Sequence, residues 1–162
     1  MGSFELALDM EKQTVRIYRD LSRMCLSNEG IKNILQMLAE DHAKHVKTLE
    51  NKLSQAPLEI EDTRAFREAR KLFEEMHGRK ETFSCDLDQL RLYKEARDLV
   101  LQKEKLYEEM MGTADSEEEK ALLRQLAEAE KKQAAVLDNI IAMVERPKMW
   151  LEDAEVFHLD EY

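Results

Sequence analysis

The sequence predicts an all-α protein, a four-helix bundle made of two helical hairpins joined by a long crossover that contains a short helix. Three observations carry this reading. The 162 residues include only four glycines and two prolines and are rich in Glu, Lys, Leu, Ala and Arg, so helix formers dominate. Apolar residues recur at three- and four-residue spacing in four long segments. The links inside each hairpin are short and the link between them, about 54–87, is long, whereas an up-down-up-down bundle would need only short loops. A chain of this length supports one domain with one core, with the bundle expected over 1–146. The tail, 147–162, is expected to pack on the bundle or on a second subunit, because Trp150, Val156, Phe157 and Tyr162 are too apolar to lie in solvent.

Each element has its own justification. The first helix is expected from about Phe4 to Met24, burying Ala7, Met10 or Glu11, Thr14, Ile17 or Tyr18, and Leu21. CLSNEG follows, with Ser27 or Asn28 as the cap, and the second helix runs to about Leu53. In the crossover, Thr63 to Met76 (TRAFREARKLFEEM) has the spacing of a short amphipathic helix. The third helix starts near Asp86 or Asp88 and ends at Gly112, carrying Leu92 or Tyr93, Ala96, Leu99 or Val100, Lys103, Leu106 or Tyr107, and Met110 on its seam. Ser116 and Glu119 form a capping box for the fourth helix. That helix buries Leu123, Leu126, Glu130, Gln133, Leu137, Ile140 and Val144, and Pro147 ends it.

Composition narrows the partners. A formal charge of −10 disfavours nucleic acid, since phosphate is repelled on average. No run of about 18 apolar residues is present to cross a membrane. The start, MGSFELALDMEK, lacks the basic region and apolar core of a signal peptide, so a cytoplasmic location is expected. Cys25 and Cys85 form no CxxC pair and read as two reduced thiols. His77, in MHGRK, is expected in a loop and His158 at the surface; Met110 and Met111 are candidates for a subunit contact.

The two hairpins also repeat each other. Leu35, Leu38-Ala39-Glu40, Lys44 and Leu49-Glu50-Asn51 recur 88 residues later as Leu123, Leu126-Ala127-Glu128, Lys132 and Leu137-Asp138-Asn139. Tyr18 and Tyr107 correspond at an offset of 89, and Glu11 then corresponds to Val100. On these seams lie residues that do not belong in an apolar core: Glu11 on the first helix, His42 and His45 on the second, Glu130 and Gln133 on the fourth. A buried carboxylate costs several kcal/mol unless it is paired or bound to a metal. Two carboxylates and two imidazoles converging at one level suit a cation, and this donor set suits Fe, Mn or Zn.

With those frames in view, the chain resembles the ferritin-like diiron-carboxylate proteins, and most closely the rubrerythrin-related ones. The resemblance rests on MEKQTVRIY (Met10 to Tyr18), LAEDHAKH (Leu38 to His45), LAEAEKKQ (Leu126 to Gln133) and the tail WLEDAEVFHLDEY (Trp150 to Tyr162). It implies a ferritin-like bundle in which each hairpin supplies a Glu from its first helix and Glu-x-x-His from its second. It further implies that the first-helix Glu and the first His bind one iron, the third-helix Glu and the second His bind the other, and the two Glu-x-x-His glutamates bridge both. Transferred here, Glu11, His45 and Glu130 fit that pattern, while His42 replaces a bridging Glu, Val100 a Glu and Gln133 a His. The losses fall on the second iron. The resemblance therefore implies one ion, iron first with zinc or manganese as alternatives, on a His2Glu2 site of Glu11, His42, His45 and Glu130. Lys103 is expected to put its ammonium near the lost second position or at the rim, and Glu104 is the alternative extra ligand.

Three functions follow as expectations. The first is a metal-binding protein with a degenerate diiron site, structural or sensing. The second is a rubrerythrin-type redox enzyme handling peroxide or oxygen, which would need a separate electron donor because the chain has no CxxC pair. The third is a metal-free dimeric helical module. A homodimer is the expected assembly in each case.

Overall fold

The computed structural model describes residues 2–24, 28–57 and 63–152. They form six helices: α1 (Ser3–Met24), α2 (Glu29–Leu53), α3 (Ala65–Gly78), α4 (Leu87–Met111), α5 (Glu117–Glu145) and α6 (Pro147–Glu152). The longest contacts pair α1 with α2 and α4 with α5, which are the two hairpins, and α1 against α4 joins them. The short crossover helix α3 lies against α2 and touches α5. Among the described residues no helix is long and apolar enough to cross a membrane.

The helix starts follow from local chemistry. The Asn28 side chain accepts from the Ile31 amide at 2.9 Å, and the Asp86 side chain from the Gln89 amide at 2.8 Å. Each satisfies an amide that the first helical turn leaves without a partner. At α5, Ser116 Oγ accepts from the Glu119 amide, and Glu119 Oε2 reaches back to the Asp115 amide at 2.9 Å. That return bond falls one residue before the cap, so the box is closed slightly outside its usual frame.

Helix α3 is capped from elsewhere. Arg64, the residue before it, makes no side-chain cap. Asp41, fully buried on α2, accepts instead from the Arg64 amide at 3.1 Å and the Ala65 amide at 2.8 Å. A carboxylate at a helix N-terminus also favours the helix dipole. We expect Asp41→Ala to cost about 1–3 kcal/mol in urea denaturation and to speed amide exchange at Ala65. An unchanged denaturation midpoint would mean that α3 is held by its apolar face alone.

Two expectations about the crossover and the C-terminal end change. His77 is not in a loop but in the last turn of α3, and its ring meets the Trp150 ring edge-on at 5.3 Å. Pro147 ends α5 as expected, yet it also starts α6, because its fixed φ suits a first helical position. This short helix turns Trp150 into the core, where it is fully buried with Phe73, Met76 and Tyr93. Val156, Phe157, His158 and Tyr162 lie outside the described residues, as does Cys25. Met110 packs inside the chain with Tyr107 and Leu122, and Met111 lies partly buried against the same group.

The apolar core comes in two parts. One contains Tyr18, Leu38, Val100 and Leu137; the other contains Ala7, Leu49, Tyr107 and Leu126. On every bundle helix, buried polar residues fall between the two; among the described residues, Asn139 on α5 is the one that lies beyond them, beside Leu137 and Ile140. Glu11 lies between Ala7 and Tyr18, His42 and His45 between Leu38 and Leu49, Lys103 between Val100 and Tyr107, and Glu130 and Gln133 between Leu126 and Leu137. The bundle is thus a dry tube with one polar layer across its middle.

Candidate metal centre

The polar layer is built from one or two side chains on each helix, and none of them reaches solvent appreciably. Glu11, His42, Lys103 and Glu130 are fully buried, and His45 and Gln133 are 4% and 3% exposed. Glu11, His42, His45 and Glu130 each offer one donor atom to a group within 4.8 Å of one another. All four sequence-predicted ligands are therefore brought together.

Glu11 is the hub. His42 Nδ1 lies 2.6 Å from its Oε2, the Lys103 ammonium donates to the same oxygen at 3.1 Å, and the Tyr107 hydroxyl donates to Oε1 at 2.8 Å. Burial by itself would raise this carboxyl's pKa, but the adjacent Lys103 charge and His42 outweigh it and hold Glu11 well below the usual carboxylate range. Glu130 goes the other way. Burial, and then the negative charge of Glu11, push its pKa well above normal. Its Oε1 faces the Lys103 ammonium at 3.1 Å, off the line of a directed hydrogen bond, and neither oxygen has a hydrogen-bond donor.

The histidines face inward with their Nδ1 atoms. His42 Nε2 is 2.8 Å from Gln133 Oε1 and Nδ1 is 2.6 Å from Glu11 Oε2, so the ring spans the two and its neutral form has one proton for both contacts. Burial first, and then the Lys103 charge, lower the His42 pKa to about 4, so the ring is neutral near pH 7. His45 Nδ1 stands 3.7 Å from Glu11 Oε1 and 3.9 Å from Glu130 Oε1 and has no hydrogen-bond partner. The rings of His42 and His45 meet edge-on at 5.4 Å, which holds both in place.

The internal repeat explains what is asymmetric. Tyr107 donates to Glu11, and its counterpart Tyr18 would donate to residue 100. That residue is Val, so the Tyr18 hydroxyl, fully buried against His42, has no hydrogen-bond partner. Lys103 in turn corresponds to Thr14, whose hydroxyl only bonds back to the Met10 carbonyl at 2.8 Å. One half of the layer keeps acid and phenol, and the other has lost its acid and gained an ammonium.

A family model described as rubrerythrin matches residues 3–141, which takes in all four helices of the bundle and every residue of the layer. The chain belongs to the rubrerythrin family. No curated protein and no solved structure matches it. The ferritin-like helical bundle of that family is present, and it holds a buried Glu/His/His/Glu group that could bind a metal.

Several residues play parts that spacing did not assign. Lys103 sits at the centre of the layer, not at its rim, while Glu104 is half-buried and outside the group. Gln133, read as a lost ligand, orients His42 from behind. Tyr107 donates directly to Glu11; its position one turn beyond Lys103 on the same seam was the available signal.

Proposed function

We propose that this rubrerythrin-family protein binds one divalent metal ion on Glu11, His42, His45 and Glu130. The observation that carries the reading is a convergence of acceptors. The His45 Nδ1 and both Glu130 oxygens have no hydrogen-bond partner, and they face the same buried space as the His42 Nδ1, whose neighbours are Glu11 and the Lys103 ammonium. Buried acceptors are ordinarily satisfied, so a set of them facing one another asks for a cation. A tetrahedral ion with bonds of about 2.0–2.2 Å separates its ligand atoms by roughly 3.3–3.6 Å. The separations from His42 Nδ1 and His45 Nδ1 to the carboxylates, 3.7 to 3.9 Å apart from the one short contact to Glu11, need only slight contraction. Gln133 behind His42 is the outer hydrogen bond that a ligating imidazole usually has.

Iron is the first choice, since rubrerythrins usually bind iron, and zinc and manganese suit the same donors. Bound iron would supply a one-electron couple; zinc would supply only a structural link between α1, α2 and α5. What the chain's own residues do is hold the ion. Glu11 and Glu130 neutralise it, His42 and His45 fix its level, and the two apolar core regions exclude water. With four protein ligands and no open position, a structural or sensing role is favoured over turnover. The test is metal content by mass spectrometry on untagged protein purified without chelator. About one equivalent of Fe, Zn or Mn per chain is expected. Less than a tenth of an equivalent after anaerobic reconstitution with Fe2+ would reject the proposal.

A further inference from the structure

We propose that Lys103 is a tethered competitor for the metal, holding the layer together when no ion is bound and withdrawing from the carboxylates when one loads. This rests on the single-ion reading above and adds the device that regulates the site.

The geometry sets it up. The Lys103 ammonium lies 3.1 Å from Glu11 Oε2, 3.1 Å from Glu130 Oε1 and 3.2 Å from His42 Nδ1. Those are three of the four residues that would ligate the ion. An ammonium donates along each of its N–H bonds and so spends itself on the same lone pairs a metal uses. The Glu11 oxygen and the His42 nitrogen that it touches are also only 2.6 Å from each other, so that corner of the layer does not hold ammonium and metal at once.

Charge gives the same answer. Two carboxylates neutralise one divalent ion. With the ammonium still among them, a fully buried layer would carry an excess positive charge, which low-dielectric surroundings penalise heavily. With the ammonium and no ion, the layer holds two carboxylates against one positive charge, and the ammonium answers one of them. Ion and ammonium together are therefore disfavoured.

Lysine is suited to the exchange. Its four-carbon stem swings an ammonium over several ångströms without moving the helix, which arginine's planar fork does not do as freely. The side chain next to Lys103 on α4 toward the crossover end is Val100, so no acid there holds the head in place.

The test uses the full chain stripped with chelator and then titrated with Zn2+ against a chromophoric competitor. Lys103→Met keeps the length and removes the charge. It is expected to bind Zn2+ at least tenfold more tightly than the natural chain, still at one equivalent, and to melt roughly 6–20 °C lower in chelator. Equal affinity with an equal melting temperature overturns the proposal while leaving the single-ion reading intact. Failure of either protein to bind Zn2+, Fe2+ or Mn2+ sinks the single-ion reading and the competition with it. Should Lys103→Met not fold in chelator, the natural chain answers alone. In 15N-lysine spectra the Lys103 ammonium signal should move on adding one equivalent of Zn2+, and an unmoved signal in a zinc-loaded protein overturns the proposal.

Discussion

Replacing Glu11 with alanine lowers the stability of the chelated protein by about 3–5 kcal/mol, the usual cost of removing one partner from a buried ion pair. Glu11 is fully buried and takes bonds from Lys103 and Tyr107 while His42 Nδ1 lies 2.6 Å away. Its loss leaves an ammonium with only Glu130 to answer it, a buried phenol without an acceptor, and a cavity among the four helices. For a chain of this size the melting temperature should fall by roughly 6–20 °C. Glu11→Gln is expected to lose less, because an amide oxygen still receives the Tyr107 hydroxyl while the charge is gone. Thermal and urea denaturation in chelator measure both. A loss below about 1 kcal/mol for the alanine variant would mean that water enters the layer and solvates Lys103.

The second large effect concerns loading. At a metal concentration of one hundred times its dissociation constant, binding to the folded state alone adds about 2.7 kcal/mol, or roughly 5–11 °C in melting temperature. The natural chain should show that rise and His45→Ala should show none, with bound metal falling from about one equivalent to almost nothing. His45 is the informative position because its Nδ1 has no hydrogen-bond partner, so the substitution removes a donor without breaking a bond in the metal-free network. The variant's chelated stability should therefore fall only by the cavity it leaves, which separates loss of a ligand from loss of the fold. If His45→Ala retains a full equivalent, the ion is held by His42 and the carboxylates, and the ligand assignment is wrong.

What was legible in the sequence depended on periodicity and on repetition. The four long helices and the crossover helix each show apolar residues at three- and four-residue spacing, and burial of one stripe per helix is what drives a bundle together. Caps were narrowed to pairs, Ser27 or Asn28 and Asp86 or Asp88, because either member of each pair has the right chemistry. Only the helix register chose Asn28 and Asp86. Asp41 shows where local reading ends. It looks like one more charge on α2, yet it is the cap of α3, and the link is a contact between residues 23 or 24 positions apart that no spacing rule contains. His77 and Trp150 meet for the same kind of reason, across the bundle from α3 to α6.

The site divides along the same line. By itself the sequence determined which residues break the apolar seams and at what level they stand, since a helix places each side chain by its number and the 88-residue repeat aligns the two hairpins. Glu11, His42, His45 and Glu130 could be named together on that basis, and the resemblance to the rubrerythrin-related proteins marked Val100 and Gln133 as departures. Only the tertiary structure decided what these residues do to one another. A long, flexible side chain such as Lys103 reaches the centre or the rim depending on a small rotation of α4, and the direction of a hydrogen bond depends on which partner lies opposite. Those are distances of a few ångströms between helices, fixed by packing, and no pattern along one chain records them.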